Sequence, residues 1–146
     1  MTYRKSLALG FLVLISVSVI GCARAARDTT GFALENTATI NAPFEDTWMA
    51  VKGVLREQEY EIYTRDKRGV FVAFSPMKRR YLQPKRDKYT IVLEPVSKDE
   101  TAIRIETLSQ VYGVTALTYP GWHDRKAKDK GVAEAIIAGV TAKVAG

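Results

Sequence analysis

The sequence has very few of the residues that metal sites and disulfides require. It holds one cysteine and one histidine in 146 residues. A single cysteine leaves no partner for an internal disulfide, and a structural zinc site needs about four Cys or His ligands. His123, beside Asp124, is more often a surface residue than a catalytic base. We therefore expect neither a metal site nor a cofactor.

Motifs that carry catalysis are missing as well. The sequence contains no glycine-rich phosphate loop and no G-x-S-x-G turn. Glu57, Glu59 and Glu61 lie close together, but Glu57 and Glu61 are expected to face water, so the group does not indicate a catalytic carboxylate pair. We interpret the chain as a protein that is not an enzyme.

Charge of one sign is in mild excess. The formal net charge is +6, and no nucleic-acid-binding motif accompanies it, so we expect no nucleic-acid partner. A positive charge of this size favours contact with anionic lipid headgroups or with acidic proteins.

The sequence also lacks an apolar run long enough for a comfortable membrane span, which takes about 20 residues. Leu7–Ile20 is shorter, and it follows the positive residues Arg4 and Lys5. A basic segment, a short apolar segment and a small residue before the cleavage point are typical of a secretory signal peptide. The alternatives are an uncleaved membrane anchor and an ordinary secretory signal that happens to end at a cysteine.

The residues that end this run are more specific. Val19-Ile20-Gly21-Cys22 resembles the lipobox of bacterial lipoproteins. The resemblance implies a diacylglyceryl group on the Cys22 sulfur, cleavage between Gly21 and Cys22, and acylation of the new amine. Two or more acyl chains hold a protein stably at a membrane. Ala23 favours the outer membrane, with the domain facing the periplasm.

Periodicity predicts one α+β domain over residues 34–146, after a signal peptide (1–21) and a lipidated tether (22–33). Alternating residues indicate a strand that ends at Ile40, and a stripe of apolar residues indicates a helix over Pro43–Glu59. Further strands are predicted at Tyr60–Thr64, Val70–Phe74, Tyr89–Pro95 and Ala102–Gln110, and a closing helix at Arg125–Val144. The expected order is β-α-β-β-β-β-α, an antiparallel sheet of four to five strands packed against a long C-terminal helix.

One predicted strand, Val70–Phe74, is apolar on both of its faces. A strand of that kind is either central in its sheet or covered on its second side by a partner.

Ser75–Lys88 stands out by its charge, since Asp87 is its only acid. It is either an ordinary solvated hairpin loop or a surface that contacts headgroups or an acidic partner. The candidate contact residues are Lys78, Arg79, Arg80, Tyr81, Lys85 and Arg86.

Two stretches carry a further resemblance. A-P-F-E-D-T-W-M-A-V-K-G-V-L and E-Y-E-I-Y-T-R-D-K-R-G-V-F-V-A-F resemble a helix-grip domain, and they are similar to the BamC (NlpB)-type lipoproteins of outer-membrane assembly. The matching positions are Trp48, Asp66, Gly69 and Phe71. The resemblance implies a helix-grip fold and a role in the assembly or maintenance of the outer membrane.

Two functions follow as hypotheses. The first is a non-catalytic, membrane-anchored lipoprotein of the cell envelope that binds a protein partner. The alternative is a carrier that binds a lipid or other apolar ligand in a groove between the sheet and the C-terminal helix. Trp122 is expected to cover the start of the last helix or to cap such a groove. The groove would be lined by Trp48, Phe71, Tyr89 and Ile103, and a pocket of roughly 300 Å³ or more would favour it.

Overall fold

The computed structural model describes residues 28–80, 83–114 and 119–146. The signal peptide, the lipidation site at Gly21-Cys22 and Tyr81 lie outside the described residues, and so does the side chain of Arg80. Within the described residues no helix is long and apolar enough to cross a bilayer.

The described residues form seven strands and two helices, so the α+β prediction is confirmed and the predicted strand number was too low. The strands are β1 (Leu34–Ile40), β2 (Glu61–Asp66), β3 (Val70–Phe74), β4 (Lys78–Arg80), β5 (Gln83–Pro95), β6 (Thr101–Gly113) and β7 (Gly121–Arg125). The helices are α1 (Phe44–Glu57) and α2 (Gly131–Ala145). The segment Ser75–Lys88, considered as a hairpin loop, instead contains β4 and the start of β5, and Trp122 lies on β7.

All neighbouring strands pair antiparallel, in the order β1-β6-β5-β3-β2. β5 and β6 have 13 residues each and extend beyond β1 and β3. There β4 pairs with β5, and β7 pairs with β6. We call this extension, made of β4, β7 and the adjoining ends of β5 and β6, the distal arm. β3 lies between β2 and β5, so it is central in the sheet, which is the first of the two alternatives that its apolar faces left open.

Both helices pack on one face of the sheet, the inner face. The apolar side of α1, with Val51, Val54 and Leu55, meets Ile136 and Val140 of α2 in one buried cluster. The inward residues of the strands complete this core: Ile40, Phe71, Ala73, Tyr89, Ile91, Leu93, Ile103 and Ile105. Alternation along each strand places these side chains on a single face, because successive residues point to opposite sides.

The helix boundaries differ from those predicted for local reasons. α1 ends at Glu57 because Glu59 adopts a φ of 58° and the Tyr60 amide bonds back to the Leu55 carbonyl at 2.9 Å. α2 begins at Gly131, not at Arg125, because residues 121–125 are taken up by β7. Just before this start, the Asp129 carboxylate accepts a hydrogen bond from the Gly131 amide at 2.8 Å, which fixes the turn that leads into the helix.

Two further contacts fix connections between elements. Gly69 turns the chain from β2 to β3 with a φ of +105°, and a Cβ there would lie 2.5 Å from the Leu93 carbonyl oxygen. A glycine is therefore required at this turn. At the other end, the amide of Ala127 donates to the carbonyl of Phe32 at 3.0 Å, which ties the segment before β1 to the segment after β7.

Candidate functional site

In the part of the chain that the structure describes, no helix packs on the outer face of the sheet, which holds partly exposed apolar side chains. Val70 and Val72 of β3, Val92 of β5 and Leu108 of β6 are all half-buried on this face. Val70 pairs directly with Val92, whereas Leu108 pairs with Lys88, so polar side chains lie between the apolar ones. Exposed apolar side chains bordered by polar residues are typical of protein interaction surfaces.

Arg86 is the most organised residue of this face. Its guanidinium carbon lies 3.7 Å from the centre of the Phe74 ring and 4.0 Å from the centre of the Trp122 ring. Its Nε donates a hydrogen bond to Oε1 of Gln110 at 2.9 Å, and Nε2 of Gln110 donates to Asp124 at 2.8 Å. Two aromatic rings thus stack on the cation, and Gln110 holds it at one edge.

Strand register explains how these residues meet. Arg86 pairs with Gln110, which pairs with Asp124, while Tyr112 pairs with Trp122. The rings of Tyr112 and Trp122 have centres 5.4 Å apart, and those of Tyr63 and Phe74 have centres 6.0 Å apart. We call the set Tyr63, Phe74, Arg86, Trp122 and Tyr112 the aromatic–arginine row.

The charge state of Arg86 follows from its surroundings. Burial lowers the pKa of its guanidinium, and the nearby carboxylate of Glu61 acts in the opposite direction. The ordinary pKa of an arginine lies far above neutrality, so the side chain stays charged at neutral pH. Among the described residues, no carboxylate forms an ion pair with it.

The predicted contact residues divide by environment. Lys78, Arg79 and Lys85 are exposed, whereas Arg86 is half-buried. Lys78 pairs with Lys85, and Arg79 pairs with Pro84, which lies on the same face as Arg86. β4 includes Arg80, whose side chain is not described. The structure therefore distinguishes one fixed arginine from a set of solvated basic side chains.

The four predicted groove residues lie in or against the core. Phe71 is 0% exposed, and Tyr89 and Ile103 are 1% exposed. The Trp48 ring lies 5.2 Å from that of Phe71, and its Nε1 donates to the Asp66 carbonyl at 3.0 Å. These side chains pack together between the sheet and the helices. Ligand carriage between the two layers would require them to move apart.

Two open depressions lie elsewhere, each of about 490 Å³. One lies between α1 and α2, with Met49, Lys52 and Lys143 among its lining residues. The other is a shallow region of the outer face near Thr37, Val92 and Arg104. Ile103 reaches the second depression, and the other three predicted groove residues line neither.

Trp122 neither covers the start of α2 nor caps a groove, since it stacks on Arg86 and Tyr112. His123 lies beside it on β7, with Nε2 3.2 Å from the Gly113 carbonyl oxygen. In the part of the chain that the structure describes, no group of His, Cys, Asp and Glu side chains is arranged to hold a metal ion.

Sequence reasoning missed Phe74, Gln110, Trp122 and Asp124 as members of a site. Each is unremarkable in its own stretch, and only the pairing of β5, β6 and β7 brings them together. The aromatic and glutamine residues at the ends of the predicted strands indicate a site only when the strand register is also known.

Comparisons with known proteins give a limited result. No protein-family model and no curated protein matches the sequence. Norcoclaurine synthase from Thalictrum flavum, in complex with dopamine and hydroxybenzaldehyde, is similar with 12% identity and a TM-score of 0.41, over 84% of this chain and 95% of that one. The di-domain ARO/CYC StfQ from the steffimycin biosynthetic pathway matches with 14% identity and a TM-score of 0.35, over 76% of this chain and 42% of that one. Similarity at this level gives no information on what this chain binds.

Proposed function

We propose that this protein is a non-catalytic lipoprotein of the cell envelope that binds an acidic protein partner through the outer face of its sheet. Cys22 at the end of the short apolar run supplies the lipid anchor. A helix-grip arrangement, with α2 closing the inner face, supplies the rigid scaffold. The setting is the outer membrane, in assembly or maintenance.

One observation carries the proposal: no helix among the described residues covers the outer face, which displays the aromatic–arginine row. Tyr63 is 75% exposed on this row. Trp, Tyr and Arg are the residue types that contribute most to binding at protein interfaces. The basic side chains of β4 and β5 add positive charge around the row, which favours an acidic partner and speeds its approach.

Photo-crosslinking in intact host cells tests this proposal. A photoreactive residue at Tyr63 is expected to capture a partner protein, and one at the exposed Thr141 of α2, on the helix side, is the matched control. Capture that is equal at both positions, or absent from both, would contradict an interaction through the outer face.

The anchor is tested separately. Mass spectrometry of the mature N-terminus is expected to find acyl groups on Cys22, and Cys22→Ser is expected to release the protein from the membrane fraction. An unmodified Cys22 in protein purified from the host would contradict the proposed attachment to the membrane.

The carrier hypothesis stays a prediction. It differs from the proposal in requiring Phe71, Tyr89 and Ile103, which are almost fully buried, to separate when a ligand enters. Binding of an apolar fluorescent probe, accompanied by quenching of the Trp48 indole that packs on Phe71, would favour a carrier.

A further inference from the structure

We propose that Arg86 is a preorganised receptor for a carboxylate, and that it recognises an Asp or Glu side chain of the partner protein. The inference rests on the proposed function and specifies the chemistry of its surface. It starts from the stacking of the guanidinium between the rings of Phe74 and Trp122, at 3.7 Å and 4.0 Å.

The stacking leaves only the edge of the guanidinium accessible. With two ring centres this close to the guanidinium carbon, we infer that a ligand reaches the group along its edge. At one side of that plane Nε already donates to Gln110 at 2.9 Å. Among the described residues, neither Nη group takes part in a hydrogen bond or an ion pair. The donors that remain for a ligand are therefore those on Nη1 and Nη2.

Two parallel N–H donors match the two oxygens of one carboxylate. Such fork-shaped pairs are shorter and stronger than neutral hydrogen bonds, and they are specific in direction. The rings and Gln110 already restrict the rotamers of Arg86, so little side-chain entropy remains to be lost on binding. Most surface arginines lack this advantage.

The neighbouring charges favour a carboxylate over a phosphate. Asp124 is held 2.8 Å from Gln110, and Glu61 is close enough to influence the pKa of Arg86. These two negative groups repel a phosphate dianion more strongly than a single carboxylate charge. The flanking Tyr63 and Tyr112 side chains are exposed, and they offer apolar area to a peptide that carries the carboxylate.

Binding of a hexaglutamate peptide to the full chain tests the inference. Two-dimensional ¹⁵N NMR follows the indole N–H of Trp122, which stacks on Arg86. The indole N–H of Trp48, bonded to the Asp66 carbonyl on the inner side, is the internal control. We expect a saturable shift of the Trp122 signal with hexaglutamate, little shift of the Trp48 signal, and no shift with hexaglutamine.

Three variants separate recognition from general charge. Arg86→Ala and Lys85→Ala remove the same charge from successive residues that point to opposite faces. Arg86→Lys keeps the charge and removes the fork. We expect Arg86→Ala and Arg86→Lys to weaken binding by about tenfold, and Lys85→Ala by less than about twofold. Thermal unfolding of each variant shows that the fold is kept.

Several outcomes would overturn the inference. Equal losses for Arg86→Ala and Lys85→Ala would mean general electrostatic attraction, and unchanged binding by Arg86→Lys would mean that the fork is not used. Stronger binding of inorganic phosphate or of phosphatidylglycerol vesicles than of hexaglutamate would assign the site to phosphate. If capture from position 63 persists in an Arg86→Lys background, the interaction module stands and the carboxylate inference alone fails.

Discussion

At the scale of the residue, environment and not identity separates Arg86 from the basic residues around it. Lys78, Arg79 and Lys85 were predicted as contact residues together with Arg86, because the sequence shows only their charge. The structure gives Arg86 alone two stacked rings and a glutamine partner. The basic cluster was therefore predictable, but its organising member was not, since the partners come from strands that are distant in sequence.

Buried tyrosines predict a loss of stability at alkaline pH. Burial raises the pKa of the Tyr89 hydroxyl, with the charge of Asp87 adding to the shift, and it raises that of Tyr60 in the same way. In the unfolded chain a tyrosine hydroxyl has a pKa of about 10. The folded pKa is the higher one, so the stabilisation is complete below about pH 10 and is lost as the pH rises above it.

We expect the free energy of unfolding to fall above about pH 10, and to fall less steeply in Tyr89→Phe. Urea unfolding at several pH values up to about 11 measures the slope. Tyr63→Phe is the matched control because its ring is 75% exposed. The same slope in Tyr89→Phe and in the unaltered protein would argue against this assignment.

The turn at Gly69 gives a second prediction at this scale. Gly69→Ala is expected to cost about 1–3 kcal/mol, because it adds a positive-φ strain and brings a Cβ within 2.5 Å of the Leu93 carbonyl oxygen. Gly31 also has a positive φ, of +72°, but has nothing within 4 Å of the new Cβ. Denaturant unfolding is expected to show a smaller loss for Gly31→Ala, and equal losses would mean that the contact is unimportant.

At the scale of the element, strong apolar periodicity predicted helices and strands well, whereas a strand made of charged residues could not be predicted. The apolar stripe predicted α1 within two residues at its C-terminal end, and Val70–Phe74 was predicted with the bounds of β3. β4 consists of Lys78, Arg79 and Arg80, so it has no apolar alternation that sequence reasoning could detect. Its strand conformation comes from pairing with β5, which is a tertiary effect.

The two helical glycines differ in what surrounds them. A Cβ at Gly53 of α1 would meet the flexible end of Lys143, at 2.6 Å from Cε, and the far end of that side chain can move aside. A Cβ at Gly139 of α2 would meet both methyl groups of Val54 at 3.3 Å, and Val54 is buried in the core.

We expect Gly53→Ala to stabilise the protein by about 0.5–1 kcal/mol, since alanine is the better helix former. The Lys143–Glu57 ion pair that it disturbs is largely exposed and contributes little. Gly139→Ala is expected to increase the free energy of unfolding less, because the added methyl group would crowd Val54 in the core. Thermal unfolding compares the two variants, and a larger gain for Gly139→Ala would reverse this ranking.

At the scale of the whole molecule, the sheet has two parts that differ in support. The part around β1, β3 and β2 is covered by both helices, whereas β4 and β7 extend the sheet where the buried cluster ends. The overall α+β class was predictable, since it depends on periodicity alone. The division into two parts was not, because β4 and β7 were not predicted as strands. The lipid anchor at Cys22 lies outside the described residues and stays a prediction.

This division predicts unequal local stability. We expect the amides of β3 and of the inner parts of β5 and β6 to exchange with solvent slowly, and those of β4 and β7 to exchange faster, because the latter are not beneath the helices. Hydrogen–deuterium exchange followed by mass spectrometry resolves these peptides. Protection of β7 equal to that of β3 would show that the row alone stabilises the distal arm.

The hydrogen bond between the Ala127 amide and the Phe32 carbonyl has a spatial consequence. It holds Phe32, which follows the proposed N-terminal tether, next to the end of β7, the strand that carries Trp122. In the proposed lipoprotein, the tether would therefore join the domain beside the same strand that contributes Trp122 to the proposed binding surface.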